Sequence, residues 1–137
     1  MAAVIQASTI VQLHLHDRAE LKTMIKILEN NQKTLTARIS SAEEEGVGAE
    51  AWRELEELEA WKLVCKIVLL EKMIALKEEK MEETEKYIED LEEHGQDTSA
   101  ACEEWDNIDA QICECTERLE ALKEEADGIP GIDYVWS

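Results

Sequence analysis

Apolar residues recur at alternating intervals of three and four along most of the chain, which is the spacing that places side chains on one face of an α-helix. In the first segment this repeat extends from Val4 to Ala42, and a repeat of that kind is typical of coiled-coil heptads. The complete pattern predicts an all-α fold with three helices, at about residues 10–45, 49–94 and 99–126.

The beginning of the first segment has a second interpretation. Val11–His16 alternates apolar and polar residues, and the residues before it are rich in β-branched side chains, so a strand fits as well. We favour a helix from about Ile10, with residues 1–9 either frayed or docked elsewhere.

The most apolar stretch lies in the second segment. Ten of the fourteen residues in Leu63–Leu76 are large and apolar or Cys. A helix that is apolar over most of its circumference has to be covered from more than one side. We therefore expect this segment to be the middle helix of a bundle, with partners on two flanks.

The apolar rows predict which side chains lie between the helices, and we treat them as the interaction seam of the protein. Three polar residues within the first row, His14, Arg18 and Gln32, are expected to fix the helix register. The predicted seam residues are Leu21, Ile25, Leu28, Leu35, Ile39, Leu63, Ile67, Leu70, Ile74, Trp105, Ile108, Ile112 and Leu119.

Two short glycine-containing connections, 46–48 and 95–97, separate the three segments. Short connections make consecutive helices antiparallel neighbours. The prediction is an elongated antiparallel helical hairpin or three-helix coiled-coil bundle, up-down-up, forming a single domain over residues 1–127. The tail, 128–137, either packs back on the bundle or is a free recognition peptide.

The third segment is much shorter than the second, so it leaves part of the apolar surface uncovered. Another subunit is the expected cover. We predict a homo-oligomer, with a dimer favoured, or association with another coiled-coil protein.

Charge narrows the choice of partners. The formal net charge is −19 at pH 7. Residues 1–45 have five basic and six acidic side chains, residues 46–95 have seven and fifteen, and residues 96–137 have two and twelve. Nucleic acid and anionic membranes are excluded as expected partners, because too few Lys and Arg are present to neutralise phosphate. A basic protein remains possible.

Three cysteines near the end of the chain are candidates for redox chemistry: Cys102, Cys113 and Cys115. Residues two apart on a helix point in nearly opposite directions, so Cys113 and Cys115 are not expected to chelate one metal ion. We expect no metal and no cofactor. The sequence has no secretory signal and no membrane-spanning stretch, which favours the cytoplasm or nucleus.

No phosphate loop, zinc-hydrolase motif or nucleophile elbow occurs, so the sequence predicts no enzyme. The first hypothesis is a non-enzymatic structural or adaptor coiled-coil protein that mediates protein–protein interaction and self-assembly. A second is an acidic chaperone or DNA-mimic decoy that binds a basic protein. A third is a Cys-based redox or metal-responsive switch. The acidic residues of the second hypothesis are Glu103, Glu104, Asp106, Asp109, Glu114 and Glu117.

Overall fold

The computed structural model of the protein describes residues 5–41, 49–129 and 132–133. These residues form helices α1 (Ala7–Leu13), α2 (Arg18–Ser41), α3 (Ala49–Glu93) and α4 (Ser99–Asp127), and two-residue strands β1 (Ile5–Gln6) and β2 (Ile132–Asp133). The predicted all-α class is confirmed, since apart from this short strand pair the regular structure described is helical. The first predicted connection, 46–48, lies outside the described residues.

The prediction of one continuous first helix is wrong. The helix stops after Leu13 and restarts at Arg18. The continuous repeat would place Val11 inward, but Val11 is 60% exposed, and the buried residues of α1 are Ile10 and Leu13. The strand alternative for Val11–His16 is wrong as well, because this stretch is a helix end followed by a turn.

Asp17 is the physical reason for the restart. Its carboxylate accepts a hydrogen bond from the backbone N–H of Glu20 at 2.8 Å, and its carbonyl accepts one from Leu21 N–H at 3.0 Å. Asp is a preferred N-cap, and Glu three residues later is the capping-box position. The side chain of Glu20 turns instead to His16 Nδ1, at 2.7 Å. The Asp-x-x-Glu spacing was the signal for this boundary.

Gly95 ends α3, as the sequence predicts. Its φ is +67°, a left-handed conformation that glycine adopts without steric cost. The N–H of Gly95 donates to the carbonyl of Glu92, and the N–H of Gln96 donates to that of Leu91. These two bonds form a Schellman motif, which satisfies carbonyls at the helix end.

The chain divides into two compact units. The first comprises Met1–Leu69 and Leu122–Ser137, and the second comprises Leu70–Ala121. The boundary on α3 therefore lies between Leu69 and Leu70. The division does not test the predicted single domain, which stays a prediction.

Unit 1 contains the apolar core. In it, five of the seven α3 residues from Leu63 to Leu69 are buried, which places apolar contacts on more than one side of the helix. The large side chains with less than 2% exposure among the described residues are Ile5, Ile10, Leu21, Val64, Cys65, Ile67 and Val68. The predicted central stretch is thus well covered to Leu70, but Leu76 is 43% exposed.

The strand pair joins the two ends of the described chain within unit 1. Ile5 pairs in parallel with Ile132, and Gln6 pairs with Asp133. Both isoleucines are buried. Residues near the start are therefore docked rather than frayed, and the described part of the tail packs back on the fold.

Unit 2 is held by a different kind of contact. Lys77 Nζ donates a hydrogen bond to Gln111 Oε1 at 2.7 Å, and further along α3 the contacts reach earlier residues of α4. Lys80 pairs with Glu104 at 3.8 Å. The direction of these contacts is that of an antiparallel pair of helices. Its buried apolar residues are few: Leu70, Ala101, Ile108 and Leu119.

Candidate interaction surfaces

The predicted seam residues are covered within the chain itself. Nine are buried, and the other four, Leu28, Ile74, Trp105 and Ile112, are half-buried. None of the thirteen is exposed. Whether this seam also contacts another subunit is not tested by a single chain, and it stays a prediction.

A polar contact interrupts the seam in unit 1. Gln32, only 8% exposed, donates from Nε2 to Glu59 Oε1 at 2.6 Å, and Lys62 Nζ lies 4.0 Å from the same oxygen. Gln32 lies nine residues before the end of α2, and Glu59 lies ten residues after the start of α3. This contact joins α2 to α3, and a buried amide that requires one partner disfavours other registers.

The surface of unit 2 has a groove between α3 and α4, with a volume of about 400 Å³. We call it the acidic groove. Its lining residues are Glu85, Ile88, Glu89, Glu92, Cys102, Trp105 and Asp106. Four carboxylates thus surround two large apolar side chains, and these seven residues include no Lys, Arg or His.

Trp105 is fixed in the acidic groove by a hydrogen bond. Its indole Nε1–H donates to Glu85 Oε1 at 3.0 Å, which joins α4 to α3. Sequence analysis placed Trp105 in the seam on account of its spacing. The structure leaves it half-buried, with part of the ring available at the groove.

The sequence around the acidic groove is uniform in charge. Between Lys86 and Arg118 there are eleven acidic residues and no Lys or Arg. Of the six acidic residues proposed to bind a basic partner, five are exposed and Asp109 is half-buried. Asp106 is the one that lines the groove. The other groove carboxylates belong to α3, which sequence reasoning did not connect with α4.

An opposite charge accumulates on α2, and sequence analysis missed it. Four of its basic residues, which we call the basic stripe, lie within about 80° of the helix circumference at 3.6 residues per turn. They are Arg18, Lys22, Lys26 and Lys33, and all four are exposed. The half-buried Glu29 lies on the same side. The near-neutral total for residues 1–45 concealed this stripe, because three of the six acidic residues are at 43–45.

The four cysteines are free thiols in two environments. Cys65 is fully buried, and burial raises the pKa of its thiol to about 11, which keeps it protonated and unreactive. Cys102 and Cys113 are exposed, and Cys115 is half-buried. The redox role of the last three stays a prediction.

Two histidines form local contacts with acidic residues of the same helix or turn. His16 contacts Glu20, and His94 Nδ1 lies 3.6 Å from Asp90 Oδ1. In the parts of the chain that the structure describes, no group of three His, Cys, Asp or Glu side chains is arranged to hold a metal ion.

Comparison with protein-family models, curated proteins and solved structures gave no match to this chain. Within the described ranges, no helix has the length and apolar character needed to cross a membrane.

Proposed function

We propose that the chain is a non-enzymatic structural or adaptor protein, a coiled coil of its three long helices, α2, α3 and α4, with up-down-up topology that mediates protein–protein interaction and self-assembly. The main support is that all thirteen seam residues are buried or half-buried. In this proposal the seam side chains pack between the helices of one chain. Contacts with partners are then made by the remaining outer surfaces.

The outer surface offers apolar side chains for such contacts. Leu76 and Tyr87 are 43% and 57% exposed. They are eleven residues apart on α3, which is three helical turns, and therefore share a face. Such a face is suited to another helix.

The seam assignment is tested by Ile25→Asp and Leu70→Asp, one substitution in each unit. Both side chains are 8% exposed, so each variant places a carboxylate among apolar neighbours. We expect a loss of helicity or assembly by circular dichroism and sedimentation. Ile27→Asp, at a 53% exposed position of α2, is the matched control and should leave helicity unchanged. Unchanged behaviour of both seam variants would contradict the assignment.

Self-assembly is tested by light scattering of the full chain over a range of concentrations. We expect a mass greater than one chain that rises with concentration by mass action. A monomer at every concentration, in both low and high salt, would overturn self-assembly while leaving the fold intact.

The acidic groove favours a second candidate function, binding of a basic protein. Its four carboxylates have no basic residue among them, and they attract cations over roughly a Debye length, about 10 Å at 0.1 M salt. The test is binding to a Lys- and Arg-rich peptide. The interaction should weaken steeply with salt, and binding that is absent or indifferent to salt would eliminate this candidate.

A further inference from the structure

We propose that copies of the chain associate head to tail, with the basic stripe of one copy lying in the acidic groove of the next. This inference rests on the proposed self-assembly and specifies the two surfaces that carry it out. The stripe belongs to α2, and the groove belongs to α3 and α4 of unit 2.

The basic stripe has no ion-pair partner among the described residues. Its four basic side chains are exposed. With Glu29 included, this side of α2 has a net charge of +3 in a chain whose net charge is −19. It is therefore a surface of positive charge for which the described chain provides no counterpart.

The acidic groove matches the basic stripe in length and is opposite to it in charge. Glu85, Glu89 and Glu92 succeed one another over seven residues of α3, or about 10.5 Å. Arg18, Lys22 and Lys26 succeed one another over eight residues of α2, or about 12 Å. Two helices placed side by side would thus bring three basic groups within reach of three carboxylates.

The apolar lining of the groove can contact the stems of the basic side chains. Ile88 and Trp105 lie among the carboxylates. Lysine stems pack well against such side chains, and an ammonium group over an indole gains a cation–π contact. The hydrogen bond from Trp105 to Glu85 already fixes the ring, so little side-chain freedom is lost when the stripe binds.

The geometry has a consequence for the type of assembly. A head-to-tail contact is heterologous, so an open assembly keeps one free stripe at one end and one free groove at the other until a ring closes. Masses above that of a dimer should therefore appear as concentration rises. A twofold dimer through one apolar face would stop at two copies.

The experiment is sedimentation velocity of the full chain over a concentration series in about 0.1 M and about 1 M NaCl. The Debye length falls from about 10 Å to about 3 Å between these conditions. Association through the stripe and groove should weaken by at least tenfold. Association that is equally strong in both salts would overturn the inference.

Charge reversal identifies the surfaces. The groove variant is Glu89→Lys with Glu92→Lys, and the stripe variant is Lys22→Glu with Lys26→Glu. All four positions are exposed, so the fold should be retained, which circular dichroism will verify. Each variant alone should associate at least tenfold more weakly, because like charges then face each other across the contact.

Mixing the two variants gives the decisive result. The groove variant keeps a basic stripe, and the stripe variant keeps an acidic groove, so an equimolar mixture restores the original contact. The other pairing in the mixture, between the acidic stripe of the stripe variant and the basic groove of the groove variant, is complementary as well. We expect association to return in the mixture, and a mixture that stays as weakly associated as its components would overturn the inference.

Matched controls change the same charge elsewhere. For the groove variant the control is Glu120→Lys with Glu124→Lys, exposed on α4 and at least fourteen residues, about 21 Å, beyond Asp106. For the stripe variant it is Arg38→Glu with Arg53→Glu, also exposed. Both controls should associate as the unaltered chain does.

The outcomes separate this inference from the proposed function. If the unaltered chain is a monomer in both salts, self-assembly itself fails. If it associates but neither reversal weakens it, or a control weakens it as much, self-assembly stands and the stripe–groove contact is wrong. Loss of association in the groove variant alone would indicate a different basic or apolar surface as the occupant and would also overturn the inference.

Discussion

The two units use the same helix, α3, in opposite ways. In unit 1 four of its residues, Val64, Cys65, Ile67 and Val68, are fully buried. In unit 2 the helix is charged on most sides and contacts α4 through side chains such as Lys77 and Glu85. Burial of apolar surface is the dominant source of stability, and exposed ion pairs contribute little. Unit 1 should therefore supply most of the folding free energy, and unit 2 most of the surface available to partners.

Truncation of a core side chain should show the largest difference in stability between the two units. Ile67→Ala removes a fully buried side chain from unit 1 and should lower the free energy of unfolding by about 3 kcal/mol. Ile112→Ala, at a half-buried position of unit 2, should cost about 1 kcal/mol. Urea unfolding followed by circular dichroism measures both. Equal costs would show that the units are equally dependent on burial.

The buried thiol gives the second test. Burial raises the pKa of Cys65 from 9.0 to about 11, so folding favours its protonated form. This contribution is complete below pH 9 and is lost as the pH rises toward 11. The loss should be on the order of 2 kcal/mol.

Cys65→Ala isolates this effect from other groups that titrate in the same range. The variant is less stable at neutral pH, but its stability should fall less steeply between pH 9 and pH 11. In a separate measurement on the folded chain, an alkylating reagent should modify the exposed Cys102 and Cys113 and leave Cys65 unmodified until the chain unfolds. Early modification of Cys65 would contradict its place in a closed core.

The turn of unit 2 provides a smaller and more local test. Gly95→Ala should cost about 1 kcal/mol, because the residue has a φ of +67°. A Cβ there would meet nothing within 4 Å, so the cost comes from the backbone alone. Gly128→Ala in unit 1 is the control: its Cβ would lie 3.5 Å from the Glu125 carbonyl oxygen, an ordinary contact. Equal costs at the two glycines would refute the backbone argument.

The helix periods predicted the all-α class because it depends on local spacing, whereas the role of the seam residues in interaction stays a prediction. The break before Arg18 was missed because the apolar repeat continues across it, while the hydrogen bond from Asp17 decides the boundary. Here a capping signal prevailed over periodicity. The strand pair of Ile5 with Ile132 joins residues more than a hundred positions apart, which no local pattern indicates.

The candidate surfaces were predictable to a different degree. The acidity of residues 96–137 is evident from counting charges, but the acidic groove needs Glu85 and Trp105 from two helices to be brought together. The basic stripe was concealed by a sum over the first segment. The net charge of a segment does not show on which side of a helix the charged residues lie. Their angular positions around each helix have to be compared instead.

The contact between Asp97 and Ser99 at the start of α4 should give the smallest effect, and it again distinguishes local from core contributions. The Ser99 hydroxyl, and then the Ser99 N–H, donate to the carboxylate of Asp97, and these bonds lower its pKa below 3.8. The contribution to stability is therefore present above pH 3.8 and is lost as the pH falls through the lower value of the folded state.

Melting temperatures measured at several pH values test the direction of this pH dependence. The difference between the unaltered chain and Asp97→Ala should be constant from neutral pH to about pH 5 and should shrink below about pH 4. Ser99→Ala removes the hydroxyl donor and keeps the N–H donor. In this variant the stabilisation by the Asp97 carboxylate should therefore begin to be lost closer to pH 3.8. Because Asp97 is fully exposed, high salt should reduce the difference, whereas it should leave the cost of Ile67→Ala unchanged. A difference that grows on acidification would mean that the carboxylate is destabilising in the folded chain.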